Sequence, residues 1–288
     1  MKKTDLPPWL QHLGQGAVFR FGQLTAAARM SPGFLICGVQ RCGTTSMYRA
    51  LSQHPAILKA VLHKGIHYFD TGYQNGPLWY QAHFPLRAHA TLVARRQHVN
   101  PLTFESSPYY VFHPLAASRI ARDLPDVRII VLLRDPVERA YSAYAHERAR
   151  GFEIEDFETA LALEDRRLAG EEERIAADPS YYSYSHQHHA YLRRGRYIEQ
   201  LQRLEKFIGR DQLHVADSED FFRDPVPTWR EVIRFLRLPD RTIPAFDQHN
   251  ARPRSPMPNS LRMQLCDQFQ SYDEELAQWW GRVPSWRR

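Results

Sequence analysis

One short stretch limits the folds that this chain can adopt. An apolar run, FLICGV (34–39), leads directly into the loop GVQRCGTTSM (38–47). Gly38 and Gly43 have the spacing of the phosphate-binding motif G-x-x-x-x-G-K-[ST], in which a strand passes through a tight turn into a helix. The residues after the loop have helical periodicity as far as Pro55. The stretch therefore predicts a strand–loop–helix unit that binds an anion.

The loop lacks the lysine of an ATP-hydrolysing enzyme. Thr44 stands at the lysine position, Thr45 stands at the hydroxyl position, and Arg41 lies three residues before Thr44. An ATPase uses that lysine on the β- and γ-phosphates and the hydroxyl on Mg²⁺, so ATP hydrolysis is disfavoured. Backbone N–H groups at a helix N-terminus can still bind an anion, and Arg41 can stabilise a leaving group. A tight turn in an α/β core is the structural alternative.

The rest of the chain alternates apolar runs with helical patterns. VRIIVLL (127–133) is typical of a strand buried on both faces. Other strands are predicted to end near Glu105 and just before Asp70, and residues 212–221 are predicted to be a strand followed by a turn. Helices are predicted at 45–55, 79–85, 114–125, 134–150, 186–208, 227–239 and 258–280. This alternation predicts an α/β, P-loop-like, three-layer fold with a central parallel sheet flanked by helices.

Composition leaves several kinds of partner open. The net charge of +6 favours an anionic partner without choosing among nucleotide, nucleic acid, polyanionic sugar and membrane. Cys37, Cys42 and Cys266 form no C-x-x-C pair, so we expect free thiols and a cytoplasmic protein. No apolar stretch approaches the roughly 20 residues of a membrane span, and the N-terminus lacks the apolar region of a signal peptide.

We expect an extension at residues 1–31 and a single domain at residues 32–288. Residues 9–30 have the pattern of a basic amphipathic helix. We expect this helix to dock on the domain, with capping of a partner or peripheral contact with a membrane as alternatives. The sequence predicts no oligomeric state.

A second element follows the best predicted strand. In VLLRDPVERAYS, Arg134 leaves that strand and Ser142 lies about two turns into the next helix. Ligands of open parallel sheets bind beyond the carboxyl ends of the strands, so Arg134 and the loop should face one crevice. The structural alternatives are a salt bridge from Arg134 to Asp135 or Glu138, and a solvated position for Ser142.

Together these two elements resemble the sulfotransferases that use 3′-phosphoadenosine-5′-phosphosulfate (PAPS). The resemblance is strongest to the carbohydrate, heparan sulfate sulfotransferase-like type, in a bacterial form, and it spans roughly residues 33–240. It also includes HYFD (67–70), FESSPYY (104–110) and the segment 213–225. It implies sulfuryl transfer from PAPS to an acceptor hydroxyl or amine, without a metal. The implied acceptor is a carbohydrate, glycolipid or secondary metabolite, and no nucleic acid takes part.

The resemblance also implies binding residues. The 5′-phosphosulfate would contact the loop residues Arg41, Cys42, Gly43, Thr44, Thr45 and Ser46. The 3′-phosphate would contact Arg134 and Ser142, which match the spacing of the family's R-x(7)-S element. Arg252 and Arg254 fall, by order alone, where a basic loop closes over the donor.

The match departs from the family at two positions. Gly65 stands where related glycan enzymes carry a glutamate base, and Ser106 replaces the lysine of the E-K-x-P stretch. His67 is our first candidate for the base, because an imidazole titrates near neutral pH, and a structural histidine is the alternative. Glu105 is the second candidate.

Several further residues also have predicted roles. His63 and Lys64 are third choices as the base, and Lys64 can also approach the sulfate and recover the charge lost at Ser106. We expect Asp70 to orient a neighbour. We expect an acceptor-side loop, in preference to a metal site, at His186, His188 and His189.

For the arginines Arg193, Arg194 and Arg196, we expect a contact with the nucleotide, a contact with an acidic acceptor, or a solvated helix face. Four aromatic residues can line an acceptor cleft or pack in the core, and we expect core packing for at least two of them: Trp79, Tyr80, Tyr109 and Tyr110.

Two rival functions remain at this stage. A divergent P-loop kinase or NTPase would need Mg²⁺ and would bind ATP. A non-catalytic relative that lost its base at Gly65 would bind nucleotide or glycan without turnover.

Overall fold

A five-stranded parallel sheet forms the centre of the protein. The computed structural model describes residue 16, residues 18–246 and residues 256–288. The strands are β1 (Phe34–Gly38), β2 (Ile57–Lys59), β3 (Leu102–Ser106), β4 (Arg128–Leu133) and β5 (Leu213–Asp217). Their order is β2-β3-β1-β4-β5, and every neighbouring pair is parallel. The predicted α/β fold with a central parallel sheet is confirmed.

Helices connect and flank these strands. The helices are α1 (Thr44–Leu51), α2 (Pro77–Gln81), α3 (Arg87–Gln97), α4 (Ala116–Asp123), α5 (Pro136–Ala149), α6 (Phe157–Leu168), α7 (Glu171–Ala177), α8 (Tyr184–His188), α9 (Tyr197–Ile208), α10 (Ser218–Arg223), α11 (Pro225–Phe235) and α12 (Asn259–Trp280). The interior strands β1 and β4 carry the most apolar sequences of the sheet, and nearly all of their side chains are buried. This burial explains why both strands were predictable from continuous apolar runs.

The strand predicted just before Asp70 is wrong. The strand of this region is β2, about ten residues earlier, and residues 66–70 form an irregular turn. Side chains that follow β3 accept hydrogen bonds from the backbone amides of this turn. Ser107 Oγ accepts from the His67 amide, and Tyr110 Oη accepts from the Tyr68 amide. The apolar run is therefore buried without joining the sheet.

Two other predicted elements differ from the structure. The helix expected over 186–208 is divided into α8 and α9 by a 3₁₀ turn, because the Glu164 carboxylate accepts from the amides of Leu192 and Arg193. The turn expected after β5 is α10, because Asp217 caps this helix through the amides of residues 219 and 220.

Part of the predicted extension packs on the domain. The ring of Phe19 lies 6.0 Å from that of Trp79 and 5.1 Å from that of His83. The Met30 amide donates to the carbonyl of Pro85. Residues 1–15 and residue 17 of this extension lie outside the described residues. The described part therefore adopts the docked arrangement that the sequence favours.

Candidate functional site

The carboxyl ends of the five strands meet at one edge of the sheet. The predicted loop follows β1, Lys64 and His67 follow β2, Glu105 lies at the end of β3, and Arg134 follows β4. A parallel sheet places such residues along one crevice, where ligands of this architecture bind. The structure thus brings together the described residues that the sequence nominates.

The loop after β1 has the backbone of an anion site. Gly43 has a φ of 79° and immediately precedes α1, so the turn reverses the chain just before the helix N-terminus. A Cβ atom at this position would lie 3.0 Å from the ring of Phe222, so the site favours glycine in both conformation and space. Arg41 also has a positive φ, 71°. The amides at the start of α1 consequently face the crevice.

Lys64 reaches the loop from the segment after β2. Its Nζ atom lies 3.0 Å from Thr45 Oγ1 and 3.4 Å from Thr44 Oγ1, and it donates to both hydroxyls. Burial lowers the pKa of Lys64 to about 8, and the charge of Glu105 opposes this shift. The ammonium group therefore lies beside the hydroxyls of the loop. The prediction that Lys64 approaches the sulfate stays a prediction.

The two elements of the resemblance meet in space. Arg41 Nε donates to Ser142 Oγ at 3.0 Å, although the residues lie 101 positions apart. Ser142 is buried on α5, so its hydroxyl faces the loop instead of solvent. The solvated alternative for Ser142 is therefore wrong.

Arg134 faces two carboxylates. Its guanidinium lies 3.8 Å from Glu138 Oε2 and 3.5 Å from Glu219 Oε1. Asp135 instead caps α5 and pairs with Arg262 at 2.8 Å, so of the two predicted salt bridges only the one to Glu138 forms. Both partners of Arg134 lie at long range and are partly exposed, so the guanidinium is available to a stronger anion.

Glu219 is a site residue that sequence reasoning missed. Burial raises the pKa of Glu219 to about 7, and the charge of Asp217 adds to the effect while Arg134 opposes it. Its position directly after β5 could have identified it, because the carboxyl ends of all five strands share this edge.

Glu105 is held as a structural acceptor. It is fully buried, and its carboxylate accepts from the Ile66 amide at 3.2 Å, Ser107 Oγ at 2.7 Å and Tyr110 Oη at 2.6 Å. Burial raises the pKa of Glu105 and these donors oppose the shift. Because its oxygens are already occupied, Glu105 is better placed to fix the segment after β2 than to accept a proton from an acceptor.

His67 and Asp70 form a paired imidazole and carboxylate. His67 Nδ1 lies 2.8 Å from Asp70 Oδ2, and the Asp70 side chain is fully buried while that of His67 is 45% exposed. Burial acts to lower the pKa of His67, but the hydrogen bond and charge of Asp70 outweigh it, so the pKa lies above its usual value. Asp70 thereby fixes Nδ1 as the donor, which leaves Nε2 of the neutral ring free to accept a proton.

Gly65 explains why the glutamate base of related enzymes is absent. A Cβ atom at Gly65 would lie 2.7 Å from the carbonyl oxygen of Ser106 and 3.4 Å from His67 Nε2. The main chain of β3 therefore approaches this position too closely for a side chain. The space that a glutamate would need lies beside the free nitrogen of His67.

The Cys42 side chain turns away from the crevice. It is fully buried, and burial raises the pKa of the thiol to about 12. The Cys42 carbonyl accepts from Ser218 Oγ at 2.6 Å, which ties the loop to α10. Only the backbone of Cys42 can take part in binding.

The histidines of α8 form hydrogen bonds with buried side chains. His186 shares a 2.6 Å hydrogen bond with Tyr109 Oη, and His188 Nδ1 lies 2.9 Å from Glu147 Oε2. Within residues 16, 18–246 and 256–288, no group of three or more histidine, cysteine, aspartate or glutamate residues is arranged to hold a metal ion.

Arg194 contacts the same helix, α8. It is buried and donates to Gln40 Oε1 at 2.5 Å and to the carbonyls of His186 and Gln187. Gln40 Nε2 in turn donates to Glu147 Oε1 at 3.1 Å. Arg194 therefore links the loop after β1 to α8. The solvated alternative is wrong for this arginine.

A small cleft lies beside Asp70. Its lining includes Asp70, Tyr109, His113, Tyr182 and Gln187. Burial lowers the pKa of His113 to about 3, so this ring is neutral, and Asp70 is the only acidic residue among these five. The cleft consequently has the character of a site for an uncharged, hydrogen-bonding molecule.

The aromatic residues predicted to line an acceptor cleft differ in their surroundings. Tyr109 lines the cleft. Tyr80 and Tyr110 are buried beside Glu105, where Tyr80 stacks on Tyr68 with a centroid separation of 4.5 Å. Core packing of at least two members is therefore confirmed. Arg252 and Arg254, the predicted basic loop, lie outside the described residues.

Comparisons with known proteins identify the family to which this chain belongs. A model of the sulfotransferase domain matches residues 31–252. A crystal structure of a sulfotransferase from Alicyclobacillus acidocaldarius is 30% identical, with a TM-score of 0.63, and the match covers 90% of this chain and all of that one.

Curated relatives give the same result at lower identity. Mouse heparan sulfate glucosamine 3-O-sulfotransferase 5 is 27% identical over 214 residues, which are 73% of this chain and 54% of the mouse protein. Bovine bifunctional heparan sulfate N-deacetylase/N-sulfotransferase 2 is 27% identical over 89% of this chain and 31% of its own length. The chain thus spans about half, or less, of these relatives. Among the described residues, no helix has the length and apolar character needed to cross a membrane.

Proposed function

Because this chain belongs to the sulfotransferase family, we propose that it transfers a sulfuryl group from PAPS to an acceptor hydroxyl or amine. The observation that carries the proposal is the grouping of an anion-binding loop, Lys64 and the His67–Asp70 pair at one edge of the sheet. Transfer of a sulfuryl group needs a held phosphosulfate, charge neutralisation at the departing phosphate and a proton acceptor. These residues supply one group for each requirement.

The donor side is the better defined half. PAPS supplies an activated sulfuryl group on a phosphate leaving group. The amides at the start of α1, with Arg41, would bind the 5′ end, and Lys64 would neutralise charge that develops on the leaving oxygen. Arg134, with Ser142, would bind the 3′-phosphate, which as a dianion would displace the partly exposed Glu138.

The acceptor side uses His67. Nε2 of His67 would take the proton of the acceptor group while its oxygen or nitrogen bonds to sulfur and the bond from sulfur to the leaving phosphate oxygen breaks. The buried Asp70 would stabilise the imidazolium that results. The tyrosine hydroxyls, the neutral His113 and the amide of Gln187 in the cleft favour a neutral acceptor, such as a sugar, glycolipid or secondary metabolite hydroxyl.

A thermal-shift comparison tests the donor assignment. Adenosine 3′,5′-bisphosphate, ADP and ATP–Mg²⁺ are compared on the full chain, where a ligand at 100 times its Kd adds about 2.7 kcal/mol of stability. We expect stabilisation by the 3′,5′-bisphosphate. Stabilisation by ATP–Mg²⁺ alone would instead identify a divergent kinase or NTPase.

Turnover then separates an enzyme from a binding protein. PAPS is incubated with a panel of neutral glycosides, and release of the 3′,5′-bisphosphate is measured with wild type and with His67→Gln. We expect release that requires the histidine. Tight binding of the 3′,5′-bisphosphate with no release on any acceptor, and no difference between the two proteins, would favour the non-catalytic alternative.

We also propose a cytoplasmic location for the protein. Cys37, Cys42 and Cys266 are free, as expected of a chain that folds in a reducing compartment.

A further inference from the structure

Positive charge is concentrated in the N-terminal third of the chain. Residues 6–104 contain nine lysines and arginines and a single acidic residue, Asp70, which is buried. Residues 105–288 contain 27 basic and 30 acidic residues. The net charge of +6 therefore originates before the end of β3.

Several of these arginines lie with exposed apolar side chains on three helical segments, namely residues 18–24, α2 and α3. We call the exposed side chains of these segments the basic apolar face. Its apolar members and their exposed fractions are Phe21 (54%), Leu24 (88%), Leu78 (61%) and Leu92 (64%). Its charged members are Arg20, Arg87, Arg95 and Arg96, all exposed. Large apolar side chains exposed together usually mark an interaction site.

Backbone contacts bring the segments of the face together. A Cβ atom at Gly22 would lie 2.6 Å from the carbonyl oxygen of Ala82, so the segment that carries Phe21 and Leu24 lies directly against the end of α2. The guanidinium of Arg87 donates to the carbonyl of Ala27, and α3 begins at Arg87. The helical segment 18–24, α2 and α3 are therefore neighbours.

Helix α3 is unusual in having no buried residue. An 11-residue helix normally buries an apolar stripe, because isolated helices of this length are marginal in water. Within the described part of the chain, none of the four arginines of the basic apolar face forms an ion pair. The face thus offers unpaired positive charge beside uncovered apolar surface.

We propose that the basic apolar face docks on a bilayer surface that contains anionic lipid. Arginines beside exposed leucine and phenylalanine side chains on short surface helices suit the membrane interface, where apolar groups insert and cations meet anionic headgroups. A second copy of this chain is disfavoured, because self-association through the face would bring eight arginines together. A polyanion would bind the charges but would leave Leu24 and Leu92 in water. The inference concerns where the protein works, so it is independent of the proposed reaction.

Vesicle flotation with the full-length protein tests the proposal. Vesicles of phosphatidylcholine alone are compared with vesicles that contain 30 mol% phosphatidylglycerol, at low and high salt. We expect binding that depends on the anionic lipid and weakens with salt. Each arginine near such a surface contributes about a fivefold change in affinity, so Arg95→Gln with Arg96→Gln should weaken binding roughly 25-fold.

The apolar part of the face has its own test. Leu24→Ser should weaken binding about tenfold, because a leucine side chain no longer leaves water. The matched controls are Ile154→Ser and Arg166→Gln, which alter exposed residues outside the face. If Leu24→Ser lowers the thermal midpoint, Leu92→Ser replaces it, since α3 buries no side chain.

Three results would overturn the proposal. The first is equal binding, or none, to the two vesicle types. The second is equal loss in the face variants and the controls. The third is concentration-dependent dimerisation that Leu24→Ser abolishes, which would assign the face to a second copy of the chain.

Discussion

The donor side and the acceptor side of the crevice are constructed differently. On the donor side, cations contact small hydroxyls: Lys64 donates to Thr44 and Thr45, and Arg41 donates to Ser142. On the acceptor side, Tyr109 bonds to His186 and His188 bonds to Glu147, and these side chains are buried. Anion binding needs positive charge that remains available, whereas a neutral molecule needs fixed hydrogen-bonding groups and excluded water. The two sides therefore satisfy opposite electrostatic demands within one crevice.

The comparison also explains what could be predicted from the sequence. The donor side depends on short-range features, namely the Gly43 turn, the start of α1 and the Arg134–Ser142 spacing, and each was recognisable in a contiguous stretch. The contact of Lys64 with Thr45 joins residues 19 positions apart through the segment after β2, and the sequence did not predict it.

The acceptor side was largely unpredictable because its contacts are distant in sequence. The hydrogen bond between Tyr109 and His186 joins residues 77 positions apart. Glu219 was missed for the same reason, since its relation to Arg134 exists only once β4 and β5 pair. The predicted domain boundary at residue 32 stays a prediction.

His67→Gln should have the largest effect. Loss of a general base costs roughly 10²–10⁴-fold in kcat. We expect the Kd of the 3′,5′-bisphosphate to stay within about twofold of wild type, because His67 contacts Asp70 and not the loop. Isothermal titration and steady-state kinetics measure the two quantities, with His89→Gln as an exposed control. An equal loss of nucleotide affinity would show that His67 also contributes to donor binding, which contradicts its assignment to the acceptor side alone.

The pH dependence of kcat/KM tests the assignment of His67 as the base. Asp70 raises the pKa of His67, and the neutral ring is the base, so kcat/KM should fall as pH drops below that pKa. Asp70→Asn should move this acidic limb to lower pH. A limb that does not move would show that His67 is not the titrating group.

Lys64→Ala should be nearly as damaging. Removal of one group that stabilises transition-state charge costs about 10²–10³-fold in kcat. Lys64→Arg should recover part of this loss, since it restores the charge. Lys59→Ala, an exposed lysine at the end of β2, is the control. An effect confined to the acceptor KM would place Lys64 on the other side of the crevice.

Arg134→Ala should act on the donor alone. Charge-assisted hydrogen bonds contribute about 1.5–3 kcal/mol, which corresponds to a rise of about 10- to 100-fold in the KM for PAPS. The acceptor KM should change little, and Arg122→Ala serves as an exposed control. Equal changes in both constants would contradict the assignment of Arg134 to the 3′-phosphate.

Glu219 should produce the smallest effect. Because burial raises its pKa to about 7, the side chain is neutral below pH 7 and ionised above it, where it competes with a phosphate for Arg134. Affinity for the 3′,5′-bisphosphate should therefore weaken, by up to about tenfold, between pH 6.5 and pH 8. Glu219→Gln should reduce this dependence in calorimetric titrations. An identical pH dependence in the variant would show that another group is responsible.

The distance along the chain between Lys64 and His67 has a practical consequence. The group that would assist departure of the phosphate and the group that would accept the proton belong to one eight-residue stretch, HKGIHYFD (63–70). β3 and the residues after it anchor that stretch, through the Ser106 amide to the Lys64 carbonyl and the His67 amide to Ser107 Oγ. Grafting this stretch between homologues would therefore exchange both proposed groups at once and leave the sequence of the loop after β1 unchanged.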